Sequence, residues 1–248
     1  MNLVLDFGNT RTKTGIFDGS RLVEQAVWQD CTLEELVRYG KEAGADCVIF
    51  SSVALPDSGT LQHLAENFVD AIELTHEVPL PFRNEYRTPE TLGKDRLAAV
   101  AGAQALFPGQ NCMVVDCGTC IKYELLLGEG VYSGGNIAPG AAMRLQAMHT
   151  FTARLPEAPM QMPDESVGYS TETALQNGAL RGAALEIEGF ARTFRERAAP
   201  LMILLTGGDA DFFSPFLKHI HDIHVVPHLT LYGLNHILEY NAHINRTP

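Results

Sequence analysis

The chain is short of positive charge. Its 248 residues hold 18 Lys and Arg against 30 Asp and Glu, a formal net charge of −12. Binding the phosphate backbone of a nucleic acid or an anionic membrane needs a basic footprint, so neither partner is expected. Long apolar runs are missing too. None approaches the roughly 20 residues of a membrane span. The N-terminal run is cut by Asp6 after a few residues, so no signal peptide is expected. Cysteine is sparse: five, an odd count with no compact spacing framework, which argues against a disulfide scaffold and suits a reduced cytoplasmic protein. Cys117 and Cys120 do form Cys-x-x-Cys. Zinc or redox chemistry would need a second ligand pair or a thioredoxin-like context, and neither is present; two small residues in a turn is the plainer reading. The rest of the composition, 46% hydrophobic and 19% charged, is that of a globular protein with a sizeable core.

The organising stretch is Leu3 to Lys13. An apolar run of strand character stops at Asp6-Phe7-Gly8, and Asn9, Thr10, Arg11, Thr12 and Lys13 lead into a second apolar run that ends at the turn pair Asp18-Gly19. The pattern reads as strand, tight turn, strand. Gly8 allows the backbone to turn sharply and to present amide N–H groups. Asn9, Thr10, Thr12 and Lys13 add donors and one positive charge, and Asp6 adds a carboxylate. Together they suit a metal-bound polyphosphate, with amides and Lys13 for the oxygens and Asp6 for hydrated Mg²⁺. The same pattern recurs at Cys112 to Leu127, where Val114-Val115-Asp116-Cys117-Gly118-Thr119 again ends a strand on Asp-x-Gly and a hydroxyl. Two copies, one per half of the chain, imply two similar subdomains, 1–110 and 111–248.

In chain order, strands are expected at Asn2–Asp6, Thr12–Phe17 and Arg21–Trp28. Thr32 caps a helix to Lys41. A buried strand, Cys47–Phe50, ends in Ser51-Ser52; a helix follows over Ser58–Asn67 and a short strand over Ala71–Leu74. This is a mixed sheet with helices, hence α/β. The proline-bearing stretch from Pro79 to Arg96 reads as loop, opening into a helix over Leu97–Phe107. Asp95 then sits near a helix start. It is either a cap or, with Gly93 before it and Arg96 after it, part of a site for an anionic carboxylate ligand. Strands Cys112–Asp116, Ile121–Leu127 and Val131–Ile137 repeat the opening. Ser133 to Gly140, with four Gly and Pro in eight residues, reads as a rigid turn. A helical stretch follows at Ala141–Ala147, then an irregular segment Thr152–Ser170. Thr171 caps a long helix to Arg197, in which Gly178 and Gly182 imply close packing. Leu201–Leu205 is a strand ending in Thr206-Gly207-Gly208. His219, His221, His224 and His228 suggest either a metal site or, more simply, a surface and an edge strand. Leu231–Ile244 reads as a final helix.

Taken together, Asp6-Phe7-Gly8-Asn9-Thr10 with Lys13, Tyr86-x-x-Pro89, Gly93-Lys94-Asp95-Arg96, Asp116-Cys117-Gly118-Thr119, and Gly134 to Gly140 resemble the ordered motifs of type III pantothenate kinase. Thr152-Ala153-x-Leu155-Pro156, Thr171 and Thr206-Gly207-Gly208 extend the resemblance through the chain. It implies two RNase-H-like halves of the acetate and sugar kinase/actin superfamily with the active site in the interdomain cleft. It also implies ATP-dependent phosphorylation of pantothenate at its primary hydroxyl, the first step of coenzyme A synthesis, in a cytoplasmic homodimer that uses Mg²⁺ and a monovalent cation, K⁺ or NH₄⁺. By the same resemblance, Asp6, Gly8, Asn9, Thr10 and Lys13 form the first phosphate motif. Asp95 is the general base. Tyr86, Gly93, Lys94 and Arg96 fall at pantothenate-binding positions. Asp116 ligates the monovalent cation, Gly118 and Thr119 belong to the ATP-phosphate turn, and Thr171 contacts substrate at the dimer interface.

One departure stands out. The family's second turn usually runs Asp-x-Gly-Thr-Ala-x-Thr, and here Cys120 replaces Ala and Lys122 replaces Thr. Lys122 either stands in part for the monovalent cation or points away along the strand. Two other functions fit the same fold. One is a small-molecule kinase or phosphatase acting on another substrate. The other is a non-catalytic relative serving as a regulatory accessory factor, which loss of Asp6 or Asp95 would favour; both are present.

Overall fold

The structure is a computed structural model that describes residues 1–8, 11–52 and 59–246. Asn9 and Thr10 of the first turn, and Ser58 at the expected helix start, lie outside the described residues.

The chain opens with β1 (Asn2–Phe7), β2 (Thr12–Asp18) and β3 (Arg21–Trp28), followed by α1 (Leu33–Glu42), β4 (Cys47–Ser52), α2 (Thr60–Asn67) and β5 (Asp70–Glu73). The sheet order is β3-β2-β1-β4-β5, antiparallel among the first three and parallel from β1 through β4 to β5. The middle strand β1 is buried on both faces, which is why Leu3-Val4-Leu5 reads as an unbroken apolar run rather than an alternating one. Leu3 and Leu5 pack with Leu36, Leu64 and Phe68. Thr32 caps α1 as expected, in a reciprocal box: its Oγ1 accepts from the Glu35 N–H at 3.2 Å, and its own N–H donates to Glu35 Oε2 at 2.8 Å.

Next come β6 (Arg83–Asn84), a 3₁₀ turn at Pro89–Thr91, and α3 (Lys94–Leu106). The helix begins three residues before the expected Leu97. Lys94-Asp95-Arg96 looks like loop in sequence because it is polar, but Gly93 is the N-cap and an acidic first turn suits the positive end of a helix. Then follow β7 (Cys112–Cys117), β8 (Cys120–Leu127), β9 (Val131–Pro139), α4 (Ala141–Thr150) and α5 (Thr171–Gln176). A π-helical turn at Asn177–Arg181 leads into α6 (Gly182–Arg197), and β10 (Met202–Thr206), α7 (Ala210–Phe213), β11 (Ile223–Val225) and α8 (Leu229–Arg246) complete the chain. The second sheet runs β11-β10-β7-β8-β9-β6.

Three expectations are corrected here. The glycine-rich Ser133–Gly140 stretch is mostly strand, not turn, because a Cβ at Gly135 would fall on the carbonyl oxygen of Tyr123; the glycine lets strands β8 and β9 meet. Thr171 is the first helical residue of α5 rather than its cap, and Ser170 takes the cap with Thr173. Gly178 and Gly182 do not mark close packing, since a Cβ at either would meet nothing within 4 Å.

The chain divides into two compact units. One is Met1–Gly109 with Gly128–Ser133 and the chain from His228. The other is Gln110–Leu127 with Gly134–Pro227. This is not a simple pair of halves, because α8 returns to the first unit. Its partner is α3, and the two helices meet at backbone distance. A Cβ at Gly233 would fall on the Ala98 carbonyl oxygen, and one at Gly102 on that of Leu229. The small residues Ala98 and Gly102 of α3 make this approach possible, Gly102 lying against the Leu229 side chain as well as its carbonyl. The other unit has its own core, with Met113, Val115, Ile121 and Tyr123 of the sheet packed with Leu180, Ile187 and Phe213.

The α3–α8 contact yields a stability prediction. Gly233→Ala should destabilise by about 1–3 kcal/mol through overpacking. Gly189→Ala, on a helix position where a Cβ meets nothing within 4 Å, should be neutral or stabilise by up to ~1 kcal/mol. Denaturant melts of the two variants check this; equal stability would mean that α3 and α8 do not depend on the glycine contact.

Candidate active site

Asp6 closes β1, and register decides its company. It lies opposite Lys13 on β2 and Ser51 on β4, so all three side chains share one face of the sheet. Ser51 Oγ donates to Asp6 Oδ1 at 2.9 Å and orients the buried carboxylate. The turn after it is closed by the Gly8 N–H donating to the Arg11 carbonyl at 3.1 Å. His228, which the sequence grouped with the surface histidines, stands just before α8, where burial and then the charge of Lys13 push its imidazole toward the neutral form. Asp6 offers a hard oxygen donor already held by a hydroxyl. That fits a magnesium ion of the nucleotide-bound kind, whose remaining ligands are phosphate oxygens and water. Among the described residues no group of three or more His, Cys, Asp or Glu could hold a metal by itself.

The start of α3 carries the second group. Asp95 is the second helical residue, and its Oδ1 accepts from the Arg96 N–H at 2.9 Å. It is therefore not the cap; that position belongs to Gly93, where a Cβ would stand 2.6 Å from Asp95 Oδ1. Arg96 is 4% exposed. Its Nη1 donates to the Tyr86 hydroxyl at 3.4 Å and its Nη2 to the Tyr132 hydroxyl at 3.1 Å. The guanidinium lies 5.1 Å from the centre of the Tyr86 ring, and the two tyrosine rings stack at 6.3 Å. Local structure explains the arrangement. β6 pairs with the start of β9, setting Asn84 against Tyr132, and Asn84 Oδ1 then accepts from the Tyr86 N–H at 3.0 Å. Lys94 turns elsewhere, its ammonium 3.5 Å from Glu73 Oε1. Tyr132 was not among the sequence candidates; the signal for it was only an aromatic on a predicted strand.

The third group belongs to the other unit. Asp116, near the end of β7, lies opposite Lys122 of β8 and Thr206 of β10. Lys122 Nζ is 2.6 Å from Asp116 Oδ2, with side chains only 17% and 16% exposed. Gly118 N–H donates to the Cys120 carbonyl at 3.2 Å, and Gly140 N–H to that of Thr119 at 3.0 Å, which locks the turn under the start of α4. Gly207 has φ +90°, a conformation that favours glycine, and a Cβ there would fall on Asp116 Oδ1 and the Cys117 carbonyl. Cys117 is buried. Burial, then the charges of Asp116 and Asp209, keep its thiol protonated, which opposes a redox role. At Asp116, where the resemblance sets a monovalent cation, one carboxylate oxygen meets the Lys122 ammonium.

Two further features were not read from sequence. Arg144 of α4 grips Glu186 of α6 at 2.8 and 2.9 Å and donates through Nε to the Pro139 carbonyl at 2.8 Å, while the Tyr123 hydroxyl donates to Glu186 Oε1 at 2.6 Å. This network ties the end of β9 to α6. Thr171 is exposed, beside the exposed side chains of Val167 and Tyr169.

A family model described as type III pantothenate kinase matches residues 2–193. A type III pantothenate kinase from Phocaeicola vulgatus is 41% identical over 246 residues, covering 97% of this chain and 99% of the relative. Among solved structures, a Baf-family transcriptional activator from Campylobacter jejuni superposes with a TM-score of 0.65 at 19% identity, over 97% of this chain and 99% of that one. An N-acetylmannosamine kinase from Listeria monocytogenes superposes with a TM-score of 0.56 at 13% identity, over 97% and 99%. The two structural likenesses establish the fold, a two-domain RNase-H-like arrangement of the actin and sugar kinase type. The family model and the near-full-length identity establish more: the chain belongs to the type III pantothenate kinase family.

Proposed function

We infer that the protein phosphorylates pantothenate with ATP, the entry step of coenzyme A synthesis, and that Asp95 and Arg96 carry the chemistry. Family membership over nearly the whole chain is the observation that carries the activity. The geometry of α3 supports the assignment of roles.

A primary alcohol is a poor nucleophile until its proton leaves. Asp95, at the helix start beyond Gly93, is the carboxylate proposed to accept that proton as the hydroxyl oxygen attacks the γ-phosphorus. The new O–P bond forms as the bond to the β-phosphate oxygen breaks, and ADP departs with the electron pair. Arg96 supplies a fixed, always-charged fork. Tyr86 and Tyr132 hold its plane, so it meets a planar carboxylate such as that of pantothenate with its orientation already set. Lys13 and the amides of the Gly8 turn are proposed for phosphate oxygens, together with Gly118 and Thr119 of the second turn. When bound, a magnesium ion held by Asp6 and the phosphates would screen the negative charge of the nucleotide, which an acidic protein otherwise repels. Lys94, paired with Glu73, is proposed to hold α3 to β5 and act on substrate only through that placement.

We also propose a homodimer in the cytoplasm. The exposed apolar pair Val167 and Tyr169 beside Thr171 supports the first. The absence of any disulfide among the five cysteines supports the second. No described helix is long and apolar enough to cross a membrane. The likeness to the Baf-family activator is one of fold and brings no regulatory role with it.

Pantothenate-dependent ADP release tests the reading. Asp95→Asn should lower kcat by about 10²–10⁴-fold with little change in the KM for pantothenate. Wild-type turnover with other small alcohols but not with pantothenate would overturn the substrate; turnover that survives Asp95→Asn would overturn the base. Arg96→Lys keeps the charge but loses the fork. It should raise the KM for pantothenate by about 10–100-fold, the loss of one to two charge-assisted hydrogen bonds. An unchanged KM would remove Arg96 from the substrate site.

A further inference from the structure

We propose that Lys122 is a built-in cation. Its ammonium takes the place beside Asp116 that the family resemblance gives to K⁺ or NH₄⁺, so this enzyme works without a monovalent cation. The proposal rests on the kinase reading above.

Three observations carry it. The first is register. An unbroken six-pair antiparallel ladder, from Cys112↔Leu126 to Cys117↔Ile121, sets Lys122 opposite Asp116. Side chains alternate along β8: Ile121, Tyr123 and Leu125 face the core, so Lys122 and Glu124 face the other way, toward the side of Asp116. The alternation leaves Lys122 no option of pointing away into the core. The second is contact. Nζ lies 2.6 Å from Asp116 Oδ2, and both side chains are largely out of water. A primary ammonium is the chemistry of NH₄⁺ with one hydrogen replaced by a tether, so it presents the same donors to the same oxygen. The third is the remaining oxygen. The backbone at Gly207 passes close to Asp116 Oδ1, near enough that a Cβ there would overlap it. A second cation would have to share one carboxylate with a fixed ammonium, and two like charges at that range in a poorly hydrated site repel.

The repeat gives the idea an internal comparison. The first copy also sets a lysine opposite its strand-end aspartate, Lys13 against Asp6. Where the family carries a hydroxyl in the second copy, this chain carries the lysine of the first.

Thallium(I), a spectroscopically and radiochemically accessible substitute for K⁺, is the probe. Full-length wild type and Lys122→Thr are dialysed against Tl⁺ with Mg²⁺ and a non-hydrolysable ATP analogue, and ADP release with pantothenate is measured in tetramethylammonium buffer with and without K⁺. Wild type is expected to bind no stoichiometric Tl⁺ and to turn over equally in both buffers. Lys122→Thr is expected to bind a single Tl⁺ per chain and to lose at least about tenfold in turnover without K⁺, recovering when K⁺ is added. Circular dichroism confirms folding, and Lys122→Met, which keeps the apolar stem, replaces the Thr variant if that one fails to fold. Stoichiometric Tl⁺ on wild type, or K⁺-dependent wild-type turnover, overturns the proposal. So does a folded variant that neither binds Tl⁺ nor responds to K⁺. If wild type releases no ADP in any salt, the kinase reading fails instead, and Tl⁺ binding to wild type and variant still decides the role of Lys122.

Discussion

The constraint on which most of the molecule depends is an antiparallel strand pair closed by a glycine turn, with a carboxylate at the end of its first strand. Each unit is built on one. β1 and β7 are the middle strands of their pairings, flanked on one side by an antiparallel neighbour and on the other by a parallel one. Burial on both faces makes those strands apolar along their length. The carboxylate can sit only where the strand leaves the core, so Asp6 and Asp116 mark the same boundary in the two units. Once register is set, the neighbours of each carboxylate follow: Lys13 and Ser51 for Asp6, Lys122 and Thr206 for Asp116.

A second device works at the other candidate centre. Two helices, α3 and α8, touch backbone to backbone through Gly102 and Gly233. That contact holds α3 firmly, and the first turn of α3 carries Asp95 and Arg96. The guanidinium is then clamped by two tyrosines from the β6 and β9 segments. Helix packing, a short parallel strand pair and two hydroxyls thus act in series to place one charged group. A buried arginine is costly unless its donors are engaged, and the two tyrosines each engage one.

The strand–turn–strand openings, the Thr32 cap and the apolar helices were legible in the sequence because they rest on local signals. Alternation, turn residues and capping boxes act over a few positions, and the elements over Asn2–Trp28 fall within a residue of where the pattern puts them. The polar start of α3 was not legible, since Lys94-Asp95-Arg96 has no apolar face to give periodicity. The stretch from Ser133 to Gly140 misled for the opposite reason. Glycine and proline usually punctuate, but here glycine makes room for a neighbouring strand. Gly178 and Gly182 misled in turn, because helical glycine suggests a close neighbour and only the structure shows none.

The sequence by itself determined the α/β class, the duplicated Asp-x-Gly turn, the family, and the identity of Asp95 and Arg96 as the pair to watch. These depend on residue type and order. Tertiary structure decided which residues keep company. That Tyr132 joins Tyr86 on Arg96, that Ser51 orients Asp6, that Lys94 answers Glu73, and that α8 belongs with α3 are contacts between residues 10 to 135 positions apart. Lys122 is the sharpest case. Its charge is visible in the chain, but whether it meets Asp116 or solvent is a matter of strand register, and register is set by the burial of one whole face.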